Sequence, residues 1–303
     1  MIHDQEQRPL APGLYLVATP IGNLEDITLR ALRVLRSVDK IACEDTRQTQ
    51  KLLNHFAIRT PTVSYHMHNE AGRATELAAA LKAGARIAVV SDAGTPGIAD
   101  PGGQIAAAAI AAGVPVFPIP GANAAISALI ASGLVGNAAA GEGAAGESFT
   151  FHGFLPAKEG QRRTALEALR AGATRNPGTV IFYEAPHRIL ATLADVEAIF
   201  GATQRVVVAR ELTKLHEEFL RGAVSDVRKT LADRATVRGE FVLLFAPAAE
   251  AAPEGKPKSV AAEVRELMKA QSLSEKDALK QIARARNIGK SEAYRELQRE
   301  RGK

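Results

Sequence analysis

The residues best placed to do chemistry sit in short polar segments, each following a short apolar run. The densest is the stretch from Ile87 to Gly113, IAVVSDAGTPGIADPGGQIAAAAIAAG. Its apolar start, Ile87 to Val90, reads as a buried parallel strand. It ends in Ser91 and Asp92, breaks into two turns rich in glycine and proline at 93–97 and 100–103, and runs on into an alanine-rich helix. Glycines let backbone amides come close to a ligand, and the two prolines fix φ, so the loop is rigid. In open α/β sheets, ligands collect where strand C-termini feed such loops. Two familiar phosphate loops are excluded. Gly289, Lys290 and Ser291 lack the required upstream glycine, because Arg284 stands there and no strand precedes it. A dinucleotide fingerprint belongs after the first strand with an acid about 20 residues on, and that spacing is absent. His66 and His68 alternate along an extended segment and share a face, but no His, Cys or carboxylate cluster has metal-site spacing, so no metal is expected.

These segments need elements to position them. Apolar runs predict strands at 14–18, 40–42, 61–65, 87–90 and 114–119, with helices over 24–35, 73–83 and 124–131 between or after them. The alternation predicts an α/β domain with a mostly parallel sheet. A low-complexity insert, GNAAAGEGAAGE at 136–147, precedes a second half. That half begins at Phe149 and carries a charged helix over 160–171 and strands at 179–183, 205–209 and 240–246. The expected division is an N-terminal α/β domain at 12–121, a second at 122–247, a linker at 248–258 and a basic helical domain at 259–303. In the last, three short helices resemble a helix-turn-helix. Ser274 and Asp277 form a capping-box-like start to the second. The third is expected to turn Ala293, Tyr294 and Leu297 inward.

With 303 residues, 46% hydrophobic, the chain can build two cores and a further module. The single Cys43 excludes an internal disulfide and suits a reducing cytoplasm. The longest apolar run, Ile105 to Phe117, is cut by Gly113 and Pro115 and is too short for a bilayer span. No signal peptide is read at the N-terminus, so the expected location is cytoplasmic, with no membrane partner. The net charge of +5 is localised. Residues 256–303 carry 13 Lys/Arg against 7 Asp/Glu, whereas the remainder carries 25 against 26. A basic C-terminal fifth points to an anionic partner, nucleic acid first.

TPIGNLED at 19–26, CEDTR at 43–47, HNE at 68–70, SDAGTPGIADPG at 91–102, PGAN at 120–123, YEAPHR at 183–188 and RELTK at 210–214 all fall at expected strand ends. Together they resemble the tetrapyrrole-methylase superfamily and, within it, the RsmI family of 16S rRNA (cytidine-2′-O)-methyltransferases. The resemblance spans about residues 12–247, and the basic tail is similar to the family's extra C-terminal domain. Cys43 and Gln48 depart from the expected Ala and His.

The resemblance implies a two-domain class III S-adenosyl-L-methionine (SAM) methyltransferase fold, distinct from the Rossmann-like one, with a small C-terminal helical domain. SAM is expected folded in the cleft between domains, in a homodimer, with Pro20, Asp92, Gly94, Ile98, Ala99, Ala122 and Ala185 lining or approaching it. The implied substrate is 16S rRNA in the small ribosomal subunit, at cytidine 1402. Methyl transfer to a ribose hydroxyl needs positioning and a base or polarising partner within hydrogen-bond reach. Glu44, Asp45, Asn23, Glu184 and His187 are candidates for that role. Arg47, Arg188 and Lys214 are candidates for phosphate contacts or for lowering the hydroxyl pKa. Strand-end carboxylates also cap helices or pair with Arg, so each has a structural alternative. Two other functions compete: a precorrin-type methylase on the same scaffold, and a non-enzymatic RNA-binding assembly factor.

Overall fold

The computed structural model describes residues 9–66, 70–135, 148–173, 178–247, 259–271, 274–285 and 289–301. The insert at 136–147, the linker at 248–258, His68 and Asn69, and the turn residues 287–288 lie outside them. Contacts divide the chain into two compact units, 1–249 and 250–303.

The first unit holds two five-stranded sheets. In chain order the first half runs β1 (Gly13–Val17), α1 (Leu29–Ser37), β2 (Lys40–Cys43), α2 (Thr46–His55), β3 (Thr62–Ser64), α3 (Glu70–Lys82), β4 (Arg86–Val90), α4 (Gly103–Ala111) and β5 (Val116–Ile119). Its sheet has order β3-β2-β4-β1-β5, and every pairing is parallel. A parallel sheet needs cover on both faces, and the strand residues alternate accordingly. Tyr15, Val17, Ile41, Cys43, Ala88 and Val90 pack with α1 and α2. Leu14, Ala42, Ile87 and Val89 pack with α3 and α4 on the other face. All five strands therefore end on one edge, where their loops meet.

The expected helix over 24–35 is interrupted. Asn23 caps a short 3₁₀ turn, Leu24–Asp26, and Thr28 Oγ1 then accepts from Ala31 N at 3.1 Å to start α1. The Thr side chain supplies a second N-cap inside an apolar pattern that reads as continuous.

After α5 (Ala124–Ser132) the second half runs β6 (Phe149–Phe154), α6 (Glu159–Gly172), β7 (Thr179–Glu184), α7 (Ile189–Phe200), β8 (Arg205–Arg210), β9 (Glu218–Ala223), α8 (Val224–Ala232) and β10 (Phe241–Phe245). The order is β6-β7-β10-β8-β9, with β6 parallel to β7 and the other pairs antiparallel. One face packs on α6, α7 and α8 through residues such as Leu166, Leu193 and Leu231. The other face takes Ala125, Ala128 and Leu129 of α5, together with Ile21 from the loop after β1. Each such fully buried Leu or Ile contributes about 1.5–3 kcal/mol of transfer free energy. Ile21 thus anchors a first-half loop in the second half's core.

The second unit contains α9 (Val260–Gln271), α10 (Glu275–Ala285) and α11 (Lys290–Arg301) around Val264, Ala278, Ile282, Ala293 and Leu297. Ser274 Oγ accepts from Asp277 N at 3.2 Å and donates to Asp277 Oδ2 at 2.6 Å, so the cap forms as expected. Tyr294 is corrected: it is 53% exposed. Ala293 and Leu297, one turn apart, fill the inner stripe, and their neighbour falls on its rim. No helix among the described residues is long and apolar enough to cross a membrane.

Candidate functional site

The loops after β1, β4 and β5 are stitched together by their own hydrogen bonds. Thr19 and Gly94 exchange backbone hydrogen bonds at 2.9 and 3.1 Å. Thr19 Oγ1 donates to Ser91 O at 3.2 Å, and Thr95 Oγ1 donates to Ala122 O at 3.1 Å. Asn123 caps α5 through Ile126 N at 3.1 Å. Gly94 has φ of +85°, and a Cβ there would sit 3.2 Å from Ile21 Cγ2. A side chain at this position is strained and crowded, so bare backbone faces outward. Ala99 also adopts positive φ, +60°, which a non-glycine residue holds only when its surroundings impose it.

Between these loops and the second sheet lies a cleft of about 290 Å³. Its near wall includes Gly94, Thr95, Ile98, Ala99 and Asp100; its far wall includes Phe154, Tyr183, Glu184, Ala185, Leu212 and Glu240. Carboxylates are the only formally charged side chains lining it, since no Lys, Arg or His contributes among the described residues. Such a lining offers no cation to a polyphosphate and so disfavours one.

Four of the expected cofactor-lining residues, Gly94, Ile98, Ala99 and Ala185, line this cleft. Pro20, Asp92 and Ala122 lie one step behind. Pro20 sits between bridged Thr19 and lining Ile21, and Ala122 holds Thr95 through its carbonyl. Asp92 Oδ1 accepts from Asp45 N at 3.1 Å, tying the β2 loop to the β4 loop.

The expected catalytic residues separate in role. Glu184 is buried and saturated: Oε2 accepts from Thr192 Oγ1 at 2.6 Å, and Oε1 accepts from Ala185 N at 2.9 Å. Arg188 Nε lies 3.1 Å from Glu184 Oε1, and its Nη2 donates to Leu155 O and Pro156 O. This pair shapes the β7–α7 turn. Asp45 caps α2 through Arg47 N at 2.8 Å and pairs with the Arg47 guanidinium, whose hydrogen bonds lower its pKa to about 2. Glu44 is half-buried; desolvation first, then the Asp92 charge, raises its pKa, while His66 opposes the rise. Asn23 caps the 3₁₀ turn, His187 is exposed, and Lys214 bridges Glu211 at 2.9 Å and Glu240 at 3.0 Å. Glu211 and Thr213, either side of cleft-lining Leu212, hold positive φ.

Two residues escaped the sequence reading. Asp100 lines the cleft, and burial, then Glu44 and Asp92, raise its pKa to about 6 against a hydrogen bond from Ser91. It lay in view within the 91–102 motif. Phe154 also lines the cleft while 54% exposed, with its ring edge-on to Tyr183 at 5.8 Å. Gly153 has φ of +63°, and the β6–β7 register shifts between Phe151 and Phe154. That bulge re-aims Phe154, and a glycine inside a strand pattern was its signal. Among the described residues no group of three or more His, Cys, Asp or Glu is arranged to hold a metal ion.

Residues 13–228 match the model of the Tetrapyrrole (Corrin/Porphyrin) Methylases. A protein of Synechocystis sp. named ribosomal RNA small subunit methyltransferase I is 47% identical over 285 residues, 93% of this chain and 95% of its own. A protein of the same name from Halalkalibacterium halodurans is 46% identical, covering 95% and 96%. Among solved structures, diphthine synthase superposes with TM-score 0.57 at 14% identity, over 77% of this chain and 89% of that one. Uroporphyrin-III C-methyltransferase from Thermus thermophilus, complexed with S-adenosylhomocysteine, gives 0.50 at 18%, over 77% and 97%.

Proposed function

The chain belongs to the tetrapyrrole methylase family, among the relatives named ribosomal RNA small subunit methyltransferase I, and on that premise we propose that it methylates 16S rRNA. The acceptor is a ribose 2′-hydroxyl, at cytidine 1402 of the decoding region, and the donor is SAM. The observation that carries the substrate class is the identity of 47% over nearly the whole length of a relative so named. The cleft supports the donor. With no Lys, Arg or His lining it among the described residues, nothing there repels a sulfonium or an ammonium, and bare backbone at Gly94 offers amides and carbonyls at close range.

Bound there, the donor supplies a methyl carbon activated by positively charged sulfur. The protein's part is positioning and proton handling. Gly94, Ile98, Ala99 and Ala185 form the walls, and Pro20, Asp92 and Ala122 fix the loops behind them. Among the four catalytic candidates, Glu184, Arg188 and Asp45 act by holding loops, and Glu44 acts through its charge on the acidic cluster. We take the first unit to divide between residues 121 and 122, a reading supported by the packing of α5 on the second sheet. The C-terminal domain, from residue 259, adds contacts to RNA phosphate and shape. The assembly is a homodimer acting on small subunits in the cytoplasm.

Transfer of labelled methyl from SAM tests this, using small subunits from cells lacking the enzyme beside free 16S rRNA and a precorrin. Label in an alkali-resistant linkage at position 1402 is expected. Label on the precorrin alone, or on no acceptor despite SAM binding, overturns it.

A further inference from the structure

The carboxylates around the cleft are mostly committed to the fold. Glu184 is held by Arg188 and Thr192, and Glu240 and Glu211 by Lys214. Asp45 is held by Arg47, and Asp92 receives the Asp45 amide. Glu44 does not line the cleft. Asp100 is different. It lines the cleft, follows strained Ala99, and has no cationic partner among the described residues. Glu44 and Asp92 face it from the first sheet, and Tyr183 faces it from the second.

We propose that Asp100 is the general base that takes the proton of the ribose hydroxyl. This assignment rests on the methyl-transfer reading above. The O–H bond breaks with its proton passing to an Asp100 carboxylate oxygen. The hydroxyl oxygen's electron pair forms the new bond to the methyl carbon, and the carbon–sulfur pair leaves with sulfur as a neutral thioether. Asp100 then returns the proton to solvent. Desolvation and two neighbouring carboxylates hold its pKa at about 6, high enough for a useful base and low enough to be ionised at neutral pH. The base works deprotonated, so the wild-type rate should rise with pH through about 6 and then level.

The test compares wild type, Asp100→Asn and Glu44→Gln in single-turnover methylation of small subunits across pH, with SAM affinity by calorimetry and thermal unfolding beside it. Asp100→Asn should lose about 10²–10⁴-fold in rate and the acidic limb of the profile, while SAM affinity stays within about threefold. A group whose folded pKa is raised destabilises the fold as pH climbs from its unfolded towards its folded value. Asn removes that penalty, so the variant's Tm should exceed wild type at pH 8, with the gain shrinking as pH falls below about 6. Glu44→Gln should shift the acidic limb to lower pH, since one repelling charge is gone. Retained rate in Asp100→Asn overturns the assignment. So does a large loss of SAM affinity, which would make Asp100 a partner of the donor's ammonium. Absence of transfer by wild type overturns the underlying reading and this assignment with it, and is seen before any variant is compared.

Discussion

The two walls of the cleft are built on different principles. On the first-sheet side, backbone does the holding: Thr19 and Gly94 bridge main chain to main chain, and short hydroxyl side chains tie Thr19 to Ser91 and Thr95 to Ala122. Beyond the Asp45–Arg47 pair, Glu44, Asp92 and Asp100 there are left to push on one another. On the second-sheet side, ion pairs do the holding. Glu184–Arg188 sets the β7–α7 turn, and Lys214 clamps Glu211 and Glu240 beside two residues at positive φ. Carboxylates of the same type at similar strand ends thus act as frame on one wall and as electrostatic field on the other. Which role each takes depends on whether a cation is packed beside it.

The largest way to break this contrast is Glu184→Gln. The change leaves Arg188, mostly buried against the Leu155 and Pro156 carbonyls, without its counter-charge. Removing one partner of a buried pair costs about 3–5 kcal/mol. Denaturant unfolding should show that loss; a change below about 1 kcal/mol would mean that the turn is held by its backbone alone. Gly94→Ala comes next, on the opposite wall. The added methyl meets strained φ and the Ile21 side chain, so a loss of about 1–3 kcal/mol is expected, with a loss of SAM affinity of at least about tenfold. Unfolding and calorimetry on one preparation separate the two. Unchanged SAM binding would place the donor away from this loop.

Much of the frame was legible because buried parallel strands announce themselves as apolar runs. β1, β2, β4 and β5 fall within a residue or two of their expected bounds. β9 and α8 were not foreseen. EFLRGA is an edge strand with no fully buried residue, so it shows no clean alternation. The cleft residues were legible as motifs, since glycine and proline at strand ends carry their own mechanism. The division of labour among carboxylates was not. Glu184 is fixed by Thr192 on the next helix, and Asp100 is perturbed by Glu44, which lies far from it in sequence. Local sequence holds no record of a neighbour as distant as Glu44 is from Asp100.

The smallest expected effect sharpens the contrast from the outside. Arg47 stands at the start of α2, just past the acidic loop of the first wall, with its side chain 87% exposed and paired only with neighbouring Asp45 among the described residues. An ion pair so open to solvent adds little to stability, and Asp45 keeps its cap to the backbone when the guanidinium is gone. Arg47→Ala should therefore leave the unfolding free energy indistinguishable from wild type. If the first wall's charged surface exists to meet rRNA, the cost appears elsewhere. Binding to small subunits should weaken similarly across RNA sequences, and the slope of log affinity against log salt should fall by about one. An unchanged salt slope would show that α2 faces away from the RNA. A clear loss of stability in denaturant unfolding would show instead that the first wall, like the second, relies on its ion pairs.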